Sequence, residues 1–288
     1  MQNIRENEHD VRKIAQDVFL IWKRLGETPL QALERLRKIE GLNPSISMTY
    51  AGRLDPLAEG ELLILTGEEC KNKEKYLGLD KEYKVEILLG ASTDTGDVMG
   101  IINKQAKTAR PCLAVSQVKD VLQRFVGKVS WSYPAFSSKT VQGKPLFLWS
   151  LEEKINEVDI PIRESEIYEL ELLSAPSTKL SMRELRGQVH QKINSLAPVP
   201  ENIVNGKDTK RLGADFRRKE VLGSWASFFN KWTKGPLVHL DGKKEFEVIT
   251  VRCKCSSGTY MRTLAKKIGE KLGTSALALS IVRTNIVM

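Results

Sequence analysis

The 288-residue chain is 41% hydrophobic and carries 45 lysines and arginines against 36 acids, a net charge of +9 with an isoelectric point near 9.3. This composition excludes a disordered chain and allows one elaborated core, while the charge favours a polyanionic partner over a neutral metabolite. No apolar run approaches a membrane span and the start, MQNIRENEHD, is polar and partly acidic, so a cytoplasmic protein without a membrane partner is expected.

In chain order, Val18 to Trp22 reads as a buried strand running into a turn at Gly26. A helix with both ends marked follows: Thr28 as N-cap, Pro29 in the first position, Gln31 closing a capping box, apolar Leu30, Leu33, Leu36 and Ile39, and Gly41 beyond. After a short strand-like stretch, residues 51–60 read AGRLDPLAEG. Gly52 and Pro56 make this a turn, and it presents one carboxylate, Asp55, with Arg53 two positions before it. Asp-Pro in a surface turn is common, so the turn alone names a candidate nucleophile and no more. Glu61 to Leu65 is an apolar strand and Glu68 to Leu77 a helix. DKEYKVEILLG is a half-buried strand with Tyr83, Val85, Ile87 and Leu89 on one face.

Val115 to Phe125 predicts a helix, and Val129 to Trp149 mixes strand-like stretches with a loop around Pro134 and Gly143. Glu166 to Leu173 and Phe246 to Cys255 are strands, Thr259 to Leu272 is an amphipathic helix, and LALSIVRTNIV is a last strand. Interspersed strands and helices predict an α+β, or mixed α/β, domain around one sheet. Residues 176–240 differ in composition, with twelve lysines and arginines against five acids. There Trp225, Phe228, Phe229 and Trp232 fall at helical spacing, the pattern of a stripe that packs against a domain, and RLGADFRRK is either a phosphate contact or a solvated face. Four cysteines make no disulfide framework at this length. Cys253 and Cys255 share a strand face and read as buried thiols, no Cys/His set completes a zinc site, and the three histidines are assigned no role.

Set in order, AGRLDPLAEG with ELLILTGEECK, DKEYKVEILLGASTDTGDVMG, SYPAFSSKTVQGKPLF and CSSGTYMRTLAKKIGEKLG resemble the TruB-type tRNA pseudouridine synthases. With KRLGETPLQALERL near the start, the resemblance covers residues 18–150 and 246–286. It implies a pseudouridine synthase fold over residues 1–288, a largely antiparallel central sheet with flanking helices. The basic stretch at 176–240 has no counterpart in that resemblance and is expected to be a helical insertion; no C-terminal PUA domain is expected, and the insertion is expected to replace some of that domain's RNA contacts. The implied reaction isomerises uridine to pseudouridine in the T-loop of tRNA, with the T-arm as partner, a monomeric enzyme, and neither cofactor nor metal.

Roles carry over one residue at a time. Asp55 matches the essential aspartate of the family's G-x-L-D-P motif, a nucleophile on the sugar or the base: a carboxylate can attack an electron-poor sugar carbon and leave again, or take a proton in a glycal-forming route, and the sequence leaves these routes open. Arg262 matches the arginine that pairs with it and stabilises its charge. Tyr83 matches the tyrosine that stacks on the flipped base. Tyr260 and Ile281 fall at substrate-contacting positions, and Asp97 at an acidic position of the active-site loop. Lys23 matches the lysine of the first motif, here Lys23-Arg24-Leu25-Gly26 without the usual proline. Tyr50 stands where the family has the histidine of a His-Thr-Gly run and is expected beside the flipped nucleotide, and Arg53 faces RNA or braces the turn.

Two other functions fit the same motifs: a pseudouridine synthase acting on ribosomal RNA, which shares a GRLD core, and a non-catalytic tRNA-binding chaperone on the same fold. Pro56 and the TDTGDVMG loop weigh against the first, and the joint presence of Asp55, Tyr83 and Arg262 against the second.

Overall fold

The computed structural model describes residues 11–105, 113–173, 178–196, 217–234 and 245–288. β1 (Val11–Ala15) and β2 (Val18–Lys23) form a hairpin, followed by α1 (Pro29–Ile39), β3 (Met48–Ala51) and β4 (Glu59–Thr66). A 3-10 turn, Gly67–Asn72, leads into α2 (Lys73–Leu77), β5 (Lys81–Leu89) and the short pair β6 (Ala91–Thr93) and β7 (Ile102–Gln105). Next come α3 (Val115–Gln123), β8 (Gly127–Ser132), β9 (Thr140–Val141), β10 (Lys144–Pro145), α4 (Leu146–Leu151) and β11 (Ile162–Leu172). The remaining described elements are β12 (Thr178–Ser181), α5 (Met182–Asn194), α6 (Arg218–Lys234), β13 (Glu245–Cys255), α7 (Met261–Lys271) and β14 (Ala276–Ile286).

Ten strands form one sheet in the order β1-β2-β4-β14-β5-β13-β11-β8, with β3 added to β4 and β12 to β13. The pairing is antiparallel throughout except between β4 and β14. At that parallel contact Gly60, with φ +114°, lies so near β14 that a Cβ would stand 2.1 Å from the Arg283 carbonyl oxygen, so a side chain has no room there.

The central strands bury both faces, and their period-2 pattern sorts residues between two layers. Val85, Ile87, Val251 and Cys253 pack with Leu122 of α3 and Leu264 and Ile268 of α7. Leu88, Val248, Leu277 and Leu279 pack on the opposite face with Leu185 and Val189 of α5 and Trp225 and Phe228 of α6. The mixed class and the antiparallel sheet therefore match the expectation, and so does the α1 capping box, with Thr28 and Gln31 each accepting from the other's amide.

The 176–240 stretch differs from the expected insertion in two ways. It contributes a strand, β12, paired with β13, and its described helices pack over the central strands of the sheet as part of the core. Buried Trp225, Phe228 and Phe229 are what bind it there, so removing the stretch would expose the sheet. Residues 197–216 and 235–240, which include most of RLGADFRRK, and the side chain of Trp232 lie outside what the structure describes. Elsewhere, Leu146 to Trp149 are helical rather than strand-like, and residues 67–77 split into a 3-10 turn and a short helix. β1 and the first residues of β11 escaped prediction because they are sheet-edge segments, half-exposed and polar, with no apolar alternation to read.

Candidate active site

The Asp55 turn joins β3 to β4 and is pinned at both ends through backbone carbonyls. The Arg283 guanidinium, buried within the sheet, donates from Nη2 to the Gly52 carbonyl at 2.9 Å and from Nε to the Glu61 carbonyl at 2.6 Å. At the other end the Pro56 carbonyl accepts from the Gly26 amide at 3.0 Å and from Lys23 Nζ at 3.3 Å. Leu54, Leu57 and Ala58 are buried on either side of Asp55, so its neighbours anchor the turn while its carboxylate, 36% exposed, faces outward.

Arg262, the second residue of α7, is brought to that carboxylate. Its side chain is 5% exposed, and Nε donates to Asp55 Oδ2 at 2.8 Å. Nη1 donates to the Thr95 carbonyl at 2.6 Å and Nη2 to the Phe136 carbonyl at 3.0 Å, so the guanidinium plane is fixed by three partners. A cation at a helix N-terminus opposes the helix dipole, which means local helix electrostatics do not account for this residue and the acids beside it do. Burial works against its charge, and Asp55 and then Asp97 more than offset it, leaving the guanidinium above its ordinary pKa.

Asp97 is the second of those acids, 3.8 Å from Arg262 Nε. It accepts from the Thr95 hydroxyl at 2.7 Å and the Met99 amide at 2.9 Å. Burial pushes its carboxyl above the usual range, with Arg262 and the Thr95 hydroxyl pulling it back. Asp55, Arg262 and Asp97 thus form one chain of charges, two of them sealed from solvent and one open.

Around this chain, Tyr260 precedes α7, its ring edge-on to Tyr133 at 5.8 Å between centroids. Burial raises its hydroxyl pKa, and the nearby Asp55 charge raises it further. Tyr83 sits on β5 opposite Arg283 of β14, and Ile281 opposite Val85; both belong to the core layer that includes Leu54 and Met261. Tyr83 is only 9% exposed, so a stacking role requires a base to reach a ring that is nine-tenths covered. Tyr50 lies on β3, half-buried, with Arg53 6.0 Å and Lys73 5.4 Å from its ring centroid, and Arg53 donates to its hydroxyl at 3.4 Å. Arg53 therefore attends Tyr50, and the ion pair of Asp55 is with Arg262.

Lys23 is fully buried, donating to the Arg24 carbonyl at 3.0 Å as well as to Pro56. Desolvation lowers its pKa from 10.5 to about 8, against the pull of Glu27, Asp55 and Glu59. Between those two values the unfolded chain holds the Lys23 proton and the folded chain has lost it, so stability rises with pH across the window. Relative to Lys23→Met, the parent protein is expected to gain roughly 3 kcal/mol between pH 7.5 and 11, read from urea unfolding of both at several pH values. A difference that stays flat with pH would mean that Lys23 keeps its proton inside the fold.

A cavity of about 460 Å³ opens behind Arg262, between the 93–96 turn, residues 130–135 and Lys266 and Lys267 of α7; Asp55 does not line it. Arg283 was missed in the sequence, although a lone cation in the apolar run LALSIVRTNIV was its signal. The Thr95 and Phe136 carbonyls carried none, since every residue has one. Among the described residues no group of His, Cys, Asp and Glu is arranged to hold a metal, and no helix is long and apolar enough to cross a membrane.

The arrangement is an acid in a pinned turn, charge-paired to a buried arginine, on a mixed α/β fold built around a largely antiparallel sheet. Residues 41–190 match the TruB family pseudouridylate synthase N-terminal domain. The chain belongs to that family. It is 28% identical over 86% of its length to tRNA pseudouridine synthase 4 of Saccharomyces cerevisiae, covering 62% of that protein. It is 26% identical over 91% of its length to tRNA pseudouridine synthase B of a Nostoc species, covering 64% of that protein. The chain thus spans less than two thirds of these relatives. The fold is similar to that of a chain in the crystal structure of a Cbf5-Nop10-Gar1 complex, with a TM-score of 0.51 and 15% identity over 93% of this chain and 48% of that one.

Proposed function

We propose that this protein is an isomerase that converts uridine to pseudouridine in the T-loop of tRNA, with Asp55 as nucleophile. The observation that carries the reading is the asymmetry of the ion pair: Arg262 is sealed while the Asp55 carboxylate it orients stays open to a substrate. The substrate class follows from the relatives' names, and the net charge of +9 is consistent with a polyanion.

The reaction breaks the N1–C1′ glycosidic bond, rotates the uracil, forms a C5–C1′ bond and releases the C5 proton while N1 gains one. Atoms balance within the nucleotide, so no co-substrate is consumed. Asp55 serves either by bonding to C1′ and leaving as C5 attacks, or by taking a proton from the ribose as a glycal forms and returning it. Arg262 holds the carboxylate in place, and Asp97 holds Arg262. Tyr83 stacks on the flipped base, and Tyr260, Tyr50, Arg53 and Ile281 shape the nucleotide pocket. Lys23 keeps the Pro56 end of the turn in place. The protein works as a cytoplasmic monomer, and the catalytic domain spans the whole chain, with the 176–240 stretch contributing RNA contacts from its basic residues.

Incubation with T-arm RNA and with a ribosomal RNA fragment, followed by chemical mapping of pseudouridine, tests this. Product on the T-arm alone is the expected result. Product on the ribosomal fragment alone would move the substrate, and tight tRNA binding without product would make the protein a chaperone on a synthase fold.

A further inference from the structure

Helix α6 grips the turn that carries Asp97. Ser224 Oγ accepts from the Ile102 amide at 2.9 Å, and the Trp225 indole donates to the Val98 carbonyl at 3.0 Å. Immediately before the helix, the Arg217 guanidinium donates to Asp94 Oδ2 at 2.8 Å and lies over the Phe136 ring, 4.6 Å from its centroid. Arg217 adopts φ +58°, a conformation that a non-glycine residue keeps only where its surroundings hold it.

These two contacts of Arg217 fall beside the two carbonyls that orient Arg262. Asp94 adjoins Thr95, whose carbonyl takes Nη1, and Phe136 itself supplies the carbonyl that takes Nη2. The 94–102 turn and the 133–137 segment approach Arg262 from different parts of the chain, and Arg217 touches both. The Arg217–Asp94 pair is partly open, 21% and 27% exposed, and such pairs add little to stability. The layer beneath rests instead on Trp225 and Phe228.

We propose that Arg217 is a positioning residue: it sets the spacing of the Thr95 and Phe136 carbonyls and through them the aim of Arg262 at Asp55. The inference rests on the reading of Asp55 as nucleophile. It gives the basic stretch a part in the reaction that is separate from binding RNA phosphates.

The test compares Arg217→Ala, Arg217→Lys, Asp94→Ala and the Arg217→Ala/Asp94→Ala double variant in single-turnover modification of T-arm RNA, with RNA affinity measured separately. Hydrogen exchange of the Arg262 Nε–H is followed by NMR in the free proteins. Arg217→Ala is expected to turn over about tenfold more slowly at unchanged affinity, the scale of one lost charge-assisted hydrogen bond. Asp94→Ala should be at least as slow, because it also removes the Oδ1 that accepts from the Ile101 amide at 2.8 Å; the double variant should be no slower than the slower single one, and Arg217→Lys should recover part of the rate. The Arg262 Nε–H should exchange faster in Arg217→Ala. An unchanged rate overturns the proposal, and so does a loss confined to affinity with a shallower salt dependence, which would make Arg217 a phosphate contact. If the parent protein forms no pseudouridine on any RNA, the function reading fails, and the Arg262 exchange rate alone then decides: unchanged exchange in Arg217→Ala overturns the positioning role.

Discussion

Replacing Asp55 with asparagine is expected to leave a folded protein that binds T-arm RNA and forms no pseudouridine. The substitution is nearly isosteric, and the turn is pinned through the Gly52 and Pro56 carbonyls rather than through the Asp55 side chain, so its shape should persist. An amide oxygen still accepts a hydrogen bond from Arg262, yet it is a poor nucleophile toward C1′ and a poor base toward a ribose proton. Product formation should fall by at least about four orders of magnitude, the scale of removing a nucleophile from a cooperating set. Single-turnover mapping of the RNA product, with binding measured in parallel, reads the split. Turnover near the parent rate would take the nucleophile's role away from Asp55.

Arg262→Ala should slow turnover far more than it weakens RNA binding. A side chain 5% exposed has almost no surface to offer a phosphate, and its three hydrogen bonds are taken up by Asp55 and two backbone carbonyls. Its loss leaves the Asp97 carboxyl buried beside an empty position and two carbonyls without donors, so a destabilisation of about 3–5 kcal/mol is expected, the range for breaking a buried ion pair. Arg262→Lys separates structure from chemistry. A lysine restores the charge and much of the stability, but its single ammonium has no fork to hold Asp55 and two carbonyls together, so turnover should remain down by about two orders of magnitude or more. RNA affinity should stay within about threefold in both variants, since few of the lost contacts face solvent. Equal losses of rate and affinity would mean that Arg262 chiefly binds phosphate.

The turn around Asp55 was legible locally, because Gly52 and Pro56 mark where the chain reverses. Its partner was not: Arg262 lies 207 positions away, and only the order of several matching segments joined the two. Arg53, two residues from Asp55, was the local alternative, and the structure turns it toward Tyr50. The spacing of Trp225, Phe228 and Phe229 announced a buried stripe, while the face of the sheet it covers depends on connections that spacing does not encode. β12 is four residues long with Leu180 its one apolar residue, too short for a periodic signal. Backbone acceptors such as the Thr95 and Phe136 carbonyls lie beyond any residue-based reading.

The place of β14 in the sheet bears on how the protein is made. It lies between β4 and β5, and the Arg283 guanidinium on it meets the carbonyl of Glu61, 222 positions earlier in the chain. On the ribosome, β4 and β5 emerge long before the strand that separates them, with bare inner edges that invite pairing with each other or with a neighbouring nascent chain. The Gly52 end of the turn also waits for its donor. Translation therefore yields a precursor that is adhesive before it is competent, and the late insertion of one strand both quiets the sheet and completes the site.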